Sequence, residues 1–445
     1  MAKGYDGTMR IIILIVLAVF GVLPCFGEDA KPPNIVLIMA DDLGYECIGV
    51  NGGEYKTPNL DALATGGVRF TNGFANPICT PSRVKIMTGQ YNVRNYVKFG
   101  LLPRSETTFA HQLKAAGYAT AVAGKWQLGN EADSPQHFGF DQSCLWQHTR
   151  KRVRQDTTID SRFSNPRLEF NGKEADYDDG EYGPQVCADF ICDFMEKQKG
   201  GPFLVYYPMI LTHCPFVPTP DSADWDPADP GSKTYKGDAK YFGDMVTYMD
   251  KVVGQIVDKL DELGLRENTL VIFTGDNGTD KPVVTMMDGR KIPGGKGQLN
   301  DFGTRVPLIA SWPGKAKKGH VTDSLVDFTD IMPTLCEVTG AKLPDGYAGD
   351  GVSLVPSLHG NADRDKPWVY FWYRGQVMAR NATYALVGKQ DAGKMKFLQY
   401  TRPYDAQRLD VGNLTPEQQA AHDSLQTVID RLAKTRPGKL KDVKP

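Results

Sequence analysis

The order of apolar segments predicts an α/β sandwich: a large, mainly parallel central sheet between helices, then a smaller C-terminal part with a short antiparallel sheet and a helix. Two observations carry this. From Asn34 to about Gly340, short apolar runs alternate with amphipathic segments, the pattern of successive strand–helix–strand units. After Gly360 the runs fall at hairpin spacing. The reading divides the chain into a leader (1–27), a main catalytic domain (28–360) and a C-terminal subdomain (361–445).

The leader comes first. Ile11 to Leu23 is an apolar run of thirteen residues, behind Lys3 and Arg10 and ahead of Cys25-Phe26-Gly27-Glu28. It is too short to span a bilayer comfortably and ends in small residues where a signal peptidase reads. The expectation is an exported protein, periplasmic or secreted, that begins near Glu28. A membrane anchor is the alternative, and Met9 is an alternative start.

The expected strands of the main sheet are Asn34–Met39, Ala119–Ala123, Phe203–Tyr207, Leu270–Thr274 and Pro307–Ala310. Each is apolar nearly throughout, as strands buried on both faces are. Thr57-Pro58 opens a helix to about Gly66, and Tyr241–Leu263 forms a long amphipathic helix stopped by Gly264. The C-terminal strands are Val369–Tyr373, Gln376–Ala379, Tyr384–Val387 and Lys396–Tyr400. Thr415-Pro416-Glu417-Gln418 then forms a capping box for a helix to about Ala433.

A net charge of −2 without a long basic tract gives no support for nucleic-acid binding. Of eight cysteines, seven remain after leader cleavage, so at least one thiol stays unpaired, and none has zinc-site spacing.

Polar residues gather where the strands end. Asp41-Asp42 follow the first strand, Lys125 the second, His213 the third and Asp276-Asn277 the fourth. Ligands of open α/β sheets bind beyond the carboxyl ends of the strands. Each pair alone would pass as a helix cap; four arrivals at one rim point to a site. The oxygen ligands Asp41, Asp42, Asp276 and Asn277 suit a hard cation, Ca²⁺ more than Mg²⁺, rather than zinc. Cys79-Thr80-Pro81-Ser82-Arg83 is the sharpest local signal. A helix over Pro81–Thr88 places Cys79 near its N-terminus, where the dipole favours an anion, with Arg83 one turn on.

From about Pro33 to the C-terminus the chain resembles the type I sulfatase family of the alkaline phosphatase superfamily. The resemblance rests on Asp41-Asp42, Cys79-Thr80-Pro81-Ser82-Arg83, Gly124-Lys125-Trp126, Thr212-His213-Cys214-Pro215, Thr274-Gly275-Asp276-Asn277-Gly278 and Gly294-Gly295-Lys296-Gly297. It implies that a maturation enzyme oxidises Cys79 to formylglycine. It also implies one calcium ion held by Asp41, Asp42, Asp276, Asn277 and the modified Cys79. Arg83, Lys125, His213 and Lys296 would be the catalytic side chains. Two departures stand out. Gln127 occupies the place of a family histidine, and Leu299-Asn300-Asp301-Phe302-Gly303 replaces an aromatic-Glu-Gly-Gly stretch, a change expected to touch only packing or the groups that back the site residues.

The implied activity is hydrolysis of sulfate monoesters. A sulfated sugar is the expected substrate, with Trp146 stacking on a ring and the basic residues through Arg154 meeting further acidic groups; a solvated basic loop is the equal alternative for this segment. A phosphonate or phosphodiester hydrolase of the same superfamily is one alternative. A non-catalytic protein that binds sulfated glycans is the other.

Overall fold

The apolar runs become strands because each residue in them finds cover on one face or the other of a central sheet. This computed structural model describes Met1, 31–149, 162–229, 232, 234–361, 364–389 and 393–438. Residues 2–27 of the expected leader, and Arg150–Arg154 of the expected substrate loop, lie outside the described residues. By its contacts the chain divides at Lys31, and the account below concerns the part from Pro32 on.

The strands in chain order are β1 (Asn34–Ala40), β2 (Val68–Phe74), β3 (Ala119–Gly124), β4 (Gln142–Trp146), β5 (Arg167–Phe170) and β6 (Lys173–Asp176). They continue with β7 (Phe203–Pro208), β8 (Thr269–Gly275), a hairpin of β9 (Val284–Met287) and β10 (Arg290–Pro293), then β11 (Leu308–Ser311) and β12 (His320–Asp327). The main sheet runs β12-β2-β11-β8-β1-β7-β3-β4-β5-β6. Its centre, β8-β1-β7-β3-β4, is parallel. The expected strand over Pro307–Ala310, β11, instead pairs antiparallel with both β2 and β8. The sheet is therefore mixed at its flanks.

β1 shows how an unbroken apolar run serves two cores. Val36, Ile38 and Ala40 pack with helices α1 (Pro58–Gly66), α3 (Gly183–Lys197) and α4 (Phe242–Glu262). Ile35, Leu37 and Met39 pack on the other face with α2 (Cys79–Thr88) and α5 (Ile331–Thr339). The two-residue period of a strand sorts the side chains, and helices on both faces leave no side that needs polar residues.

The C-terminal sheet is an antiparallel meander of β13 (Val369–Tyr373), β14 (Gln376–Arg380), β15 (Tyr384–Lys389), β16 (Lys394–Arg402) and β17 (Asp405–Arg408). One face packs on α6 (Pro416–Ala433), which opens with the expected capping box at Thr415 and Gln418. The other packs on Phe74, Leu299 and Leu325 of the main body. Asp301, from the divergent stretch, is buried at this seam. It accepts from Arg305 Nε at 2.9 Å, from Tyr404 N at 3.2 Å and from Arg380 of β14. Two guanidiniums and a backbone N–H thus hold its charge at this seam. Among the described residues the seven cysteines are all free, and no helix is long and apolar enough to cross a membrane.

Candidate active site

Register aligns the ends of the parallel strands. Ala40 lies opposite Gly275, and Met39 opposite Pro208, so the chain leaves β1, β8 and β7 at one rim. Asp41-Asp42 and Asp276-Asn277 thus emerge side by side, all four fully buried. Asp42 sits at φ 62°, a left-handed conformation that aspartate tolerates better than most residues. Its backbone N–H donates to Asp276 Oδ1 at 3.0 Å. β3 delivers Lys125 through Gly124, whose φ is 105°; a Cβ there would come within 2.2 Å of the Pro208 carbonyl oxygen. Lys125 Nζ donates to Asp41 Oδ2 at 2.5 Å.

Cys79 is the first residue of α2, and Pro81 falls in the first turn, where no intrahelical donor is missed. Arg83 then points back across the sheet ends. Its guanidinium donates to Asp276 Oδ2 at 2.9 Å and to the Lys125 carbonyl at 2.7 Å, with Asp41 Oδ2 3.7 Å away. Lys296 is carried in by a loop pinned at two successive amides, Lys296 N to the Thr279 carbonyl (3.0 Å) and Gly297 N to the Pro77 carbonyl (2.8 Å). Lys296 Nζ donates to Asp42 Oδ2 at 2.6 Å, and His213 Nε2 lies 3.7 Å from the same oxygen. Gln127 is nearby in sequence, at φ 58°, with its Oε1 buried and unpartnered among the described residues.

These positions impose their own electrostatics. Burial raises all three carboxyls. At Asp41 the charges of Lys125, Arg83 and Lys296 overcome it and hold the carboxyl below the usual range. Asp42 stays above its ordinary value because burial outweighs the pull of Lys296. Asp276 is pushed up to about 7 by burial and then by the charge on Asp41. Burial, then Lys125, Lys296 and Arg162, push the His213 imidazole well below its ordinary range. The Cys79 thiol is also raised, chiefly by burial.

The donor set fits a hard divalent cation. Asp41 Oδ1 and Asn277 Oδ1 are buried without a hydrogen-bond partner among the described residues, a cost a cation would remove. The Asn277 amide is turned for this. Its Nδ2 donates to Asp42 Oδ1 (2.8 Å) and the Gly278 carbonyl (2.9 Å), leaving the oxygen for a ligand. Asp41, Cys79 and Asp276 each bring a ligand atom within 4.8 Å of the others.

Two features depart from the sequence reading. Trp146 is only 8% exposed and lies in the main core, its ring covered by the Arg162 guanidinium at 4.5 Å. His148 is likewise turned inward, Nδ1 2.8 Å from the buried Glu169 carboxylate. The Trp146 and His148 side chains of the expected substrate loop therefore face the interior. Arg162 itself, unmarked by any motif, reaches His213 Nδ1 at 2.7 Å.

Residues 33–341 match the family model described as Sulfatase, and residues 296–429 that described as N-sulphoglucosamine sulphohydrolase, C-terminal. The chain is similar to N-acetylgalactosamine-6-sulfatase of Mus musculus, 31% identical over 399 residues covering 82% of this chain and 73% of that protein. It is similar to arylsulfatase A of Homo sapiens, 34% identical over 383 residues covering 77% and 71%. The structure of Ps i-CgsB in complex with k-i-k-neocarrahexaose superposes with a TM-score of 0.74 at 24% identity, over 92% of this chain and 94% of that one. Because the Sulfatase model spans well over half of its length, and two such relatives align along most of it, the chain belongs to the sulfatase family of the alkaline phosphatase superfamily and is a sulfuric ester hydrolase.

Proposed function

We propose that the enzyme hydrolyses sulfate monoesters of carbohydrates, outside the cytoplasm, with formylglycine made from Cys79 by a maturation enzyme and one Ca²⁺ held by Asp41, Asp42, Asp276, Asn277 and residue 79. The observation that carries this reading is the convergence of Cys79, Arg83 and three buried carboxylates at one rim. Hydrated formylglycine supplies one hydroxyl to attack sulfur and a second whose deprotonation expels sulfate and restores the aldehyde. The cation supplies Lewis-acid polarisation of the reacting oxygens.

The remaining work falls to this chain's own side chains. Lys125 and Lys296 bind sulfate oxygens and offset charge as the S–O bond breaks. Arg83 holds the carboxylates and the Lys125 backbone in place. Lys296 carries the proton for the leaving alcohol, and His213, neutral in this surrounding, gives that oxygen a hydrogen bond. Charge also favours a sulfate ester over a phosphate monoester. Arg83, Lys125 and Lys296 already balance the three carboxylates, so a divalent ion leaves two positive charges, matched by one ionised nucleophile and a singly charged ester.

The carbohydrate reading draws on an exposed aromatic ring beside His213. Tyr235 is 60% exposed with its ring 6.5 Å from that of His213, and an aromatic face beside the leaving group suits a sugar ring. Sulfated mono- and oligosaccharides should be turned over at higher kcat/KM than small aryl or steroid sulfates, and a matching phosphodiester far more slowly. Assaying the three classes side by side tests this. Aryl or steroid sulfates turned over far better than every sugar would overturn the substrate class, and a faster phosphodiester would overturn sulfate specificity.

Gln127 replaces the base of the family pattern with an amide that takes up no proton near neutrality, so the proton of the second hydroxyl would pass to Asp276 or to a water polarised by the cation. In this reading the Gln127 Oε1, buried and unpartnered among the described residues, holds a hydroxyl of residue 79 by a hydrogen bond. Gln127→His should therefore leave turnover within about tenfold, while Gln127→Ala should cost about 10²-fold, the usual loss for one well-placed hydrogen-bonding group. Steady-state rates on one sulfate ester decide it. Large activity appearing only in Gln127→His would mean that the natural protein binds sulfated glycans without hydrolysing them.

A further inference from the structure

Arg162 lies on the segment that enters β5, is 3% exposed, and stacks its guanidinium on Trp146. Its Nη1 stands 2.7 Å from His213 Nδ1 and also donates to the Cys214 carbonyl. That carbonyl oxygen is itself 2.5 Å from His213 Nδ1. The three atoms restrict one another. A guanidinium has donors and no acceptor, so a hydrogen on Nδ1 would point at the Nη1 hydrogens. Without it, the two hydrogens of Nη1 serve both acceptors, the Nδ1 lone pair and the carbonyl oxygen. This arrangement gives each Nη1 hydrogen an acceptor, whereas Nδ1–H donated to the Cys214 carbonyl would leave an Nη1 hydrogen facing Nδ1–H across 2.7 Å. The ring hydrogen is then on Nε2, the nitrogen that faces the site and lies 3.7 Å from Asp42 Oδ2.

We propose that Arg162 is a positioning residue that fixes the tautomer and ring orientation of His213, so that Nε2–H points at the leaving oxygen of the bound ester. This rests on the sulfatase reading for its consequence in catalysis, but not for the tautomer itself. The identity of the ring nitrogen carrying the proton is normally set by what the other nitrogen bonds, and here that partner is a cation. Its separation from His213 by 51 residues makes it a contact only the tertiary fold creates.

The test is ¹⁵N–¹H correlation spectroscopy of the metal-loaded protein labelled at its seven histidines, with His213 assigned through His213→Gln. The expected result is an Nε2–H imidazole with an unprotonated Nδ1. Arg162→Met should shift His213 toward the Nδ1–H form, which the Cys214 carbonyl would then accept, and lower kcat about 10²-fold with a smaller change in KM. Arg162→Lys, which keeps a donor, should restore part of both. A native Nδ1–H tautomer overturns the proposal whether or not the variants fold. So does a loss of kcat in Arg162→Met with the tautomer unchanged. If the tautomer is as expected but no sulfate ester is turned over, the functional reading falls and the role of Arg162 in orienting His213 stands.

Discussion

Cys79→Ala is expected to abolish turnover, a loss of about 10⁴-fold or more, as when a covalent nucleophile is deleted. Cys79→Ser should instead transfer at most one sulfate per chain. A thiol raised by burial carries little thiolate at neutral pH and is a weak nucleophile. Neighbouring Lys125 and Lys296 pull in the other direction but do not outweigh burial. Chemical conversion of residue 79 removes that obstacle. Serine would attack once and remain a stable sulfate ester, because it lacks the second hydroxyl on the same carbon. Peptide mass spectrometry should find the aldehyde or its hydrate at residue 79 in active protein, and a trapped sulfate adduct in Cys79→Ser. Full activity in a preparation carrying only the thiol would refute the idea. Both variants are smaller than or similar in size to cysteine, so little repacking of α2 is involved.

The parts legible from sequence were those whose signal is local. β1, β3, β7 and β8 are apolar runs that end in Asp41, Lys125, the approach to His213, and Asp276, and strand ends alone predicted a common rim. α2 was legible from Pro81, although its first turn begins at Cys79 itself. What escaped is tertiary. β2 carries Arg69, Thr71 and Asn72, and β12 alternates half-exposed with exposed residues over much of its length; neither reads as an apolar run, because one neighbours the sheet edge and the other forms it. The antiparallel direction of β11 has no sequence signal of its own. Trp146 looked like a platform for substrate because aromatic residues among basic ones often are, yet its ring is buried beneath Arg162. Arg162 lies eight residues beyond the basic run that ends at Arg154, between Ser161 and Phe163, and nothing along the chain ties it to His213.

Asp276→Ala should lose both the bound metal and turnover, with kcat/KM falling about 10³-fold or more, since metal polarisation is worth several kcal/mol. Elemental analysis of the native protein should find about one calcium per chain, and Asp276→Ala close to none. Stoichiometric zinc with zinc-dependent activity would sink the calcium assignment. The alanine variant also strands the buried Arg83, whose 2.9 Å partner it removes, and breaking such a pair costs about 3–5 kcal/mol. Asp276→Asn keeps the shape and a hydrogen-bond acceptor for Arg83, and separates lost metal from lost fold. A pH dependence follows from the same carboxyl. Burial and the charge on Asp41 raise it from 3.8 to about 7. Between those values the folded, metal-free protein holds a proton that the unfolded chain has released. Its stability from this group therefore falls as pH rises through that window. A bound cation takes the place of the proton and removes the penalty, so metal uptake releases protons and tightens with rising pH. The rise in Tm on adding Ca²⁺ to chelator-stripped protein should be larger at about pH 7.5 than at about pH 5.5. In Asp276→Asn the difference between the two pH values should shrink, because the group that titrates is gone. Equal calcium stabilisation at both pH values in the native protein would mean that Asp276 is not a ligand.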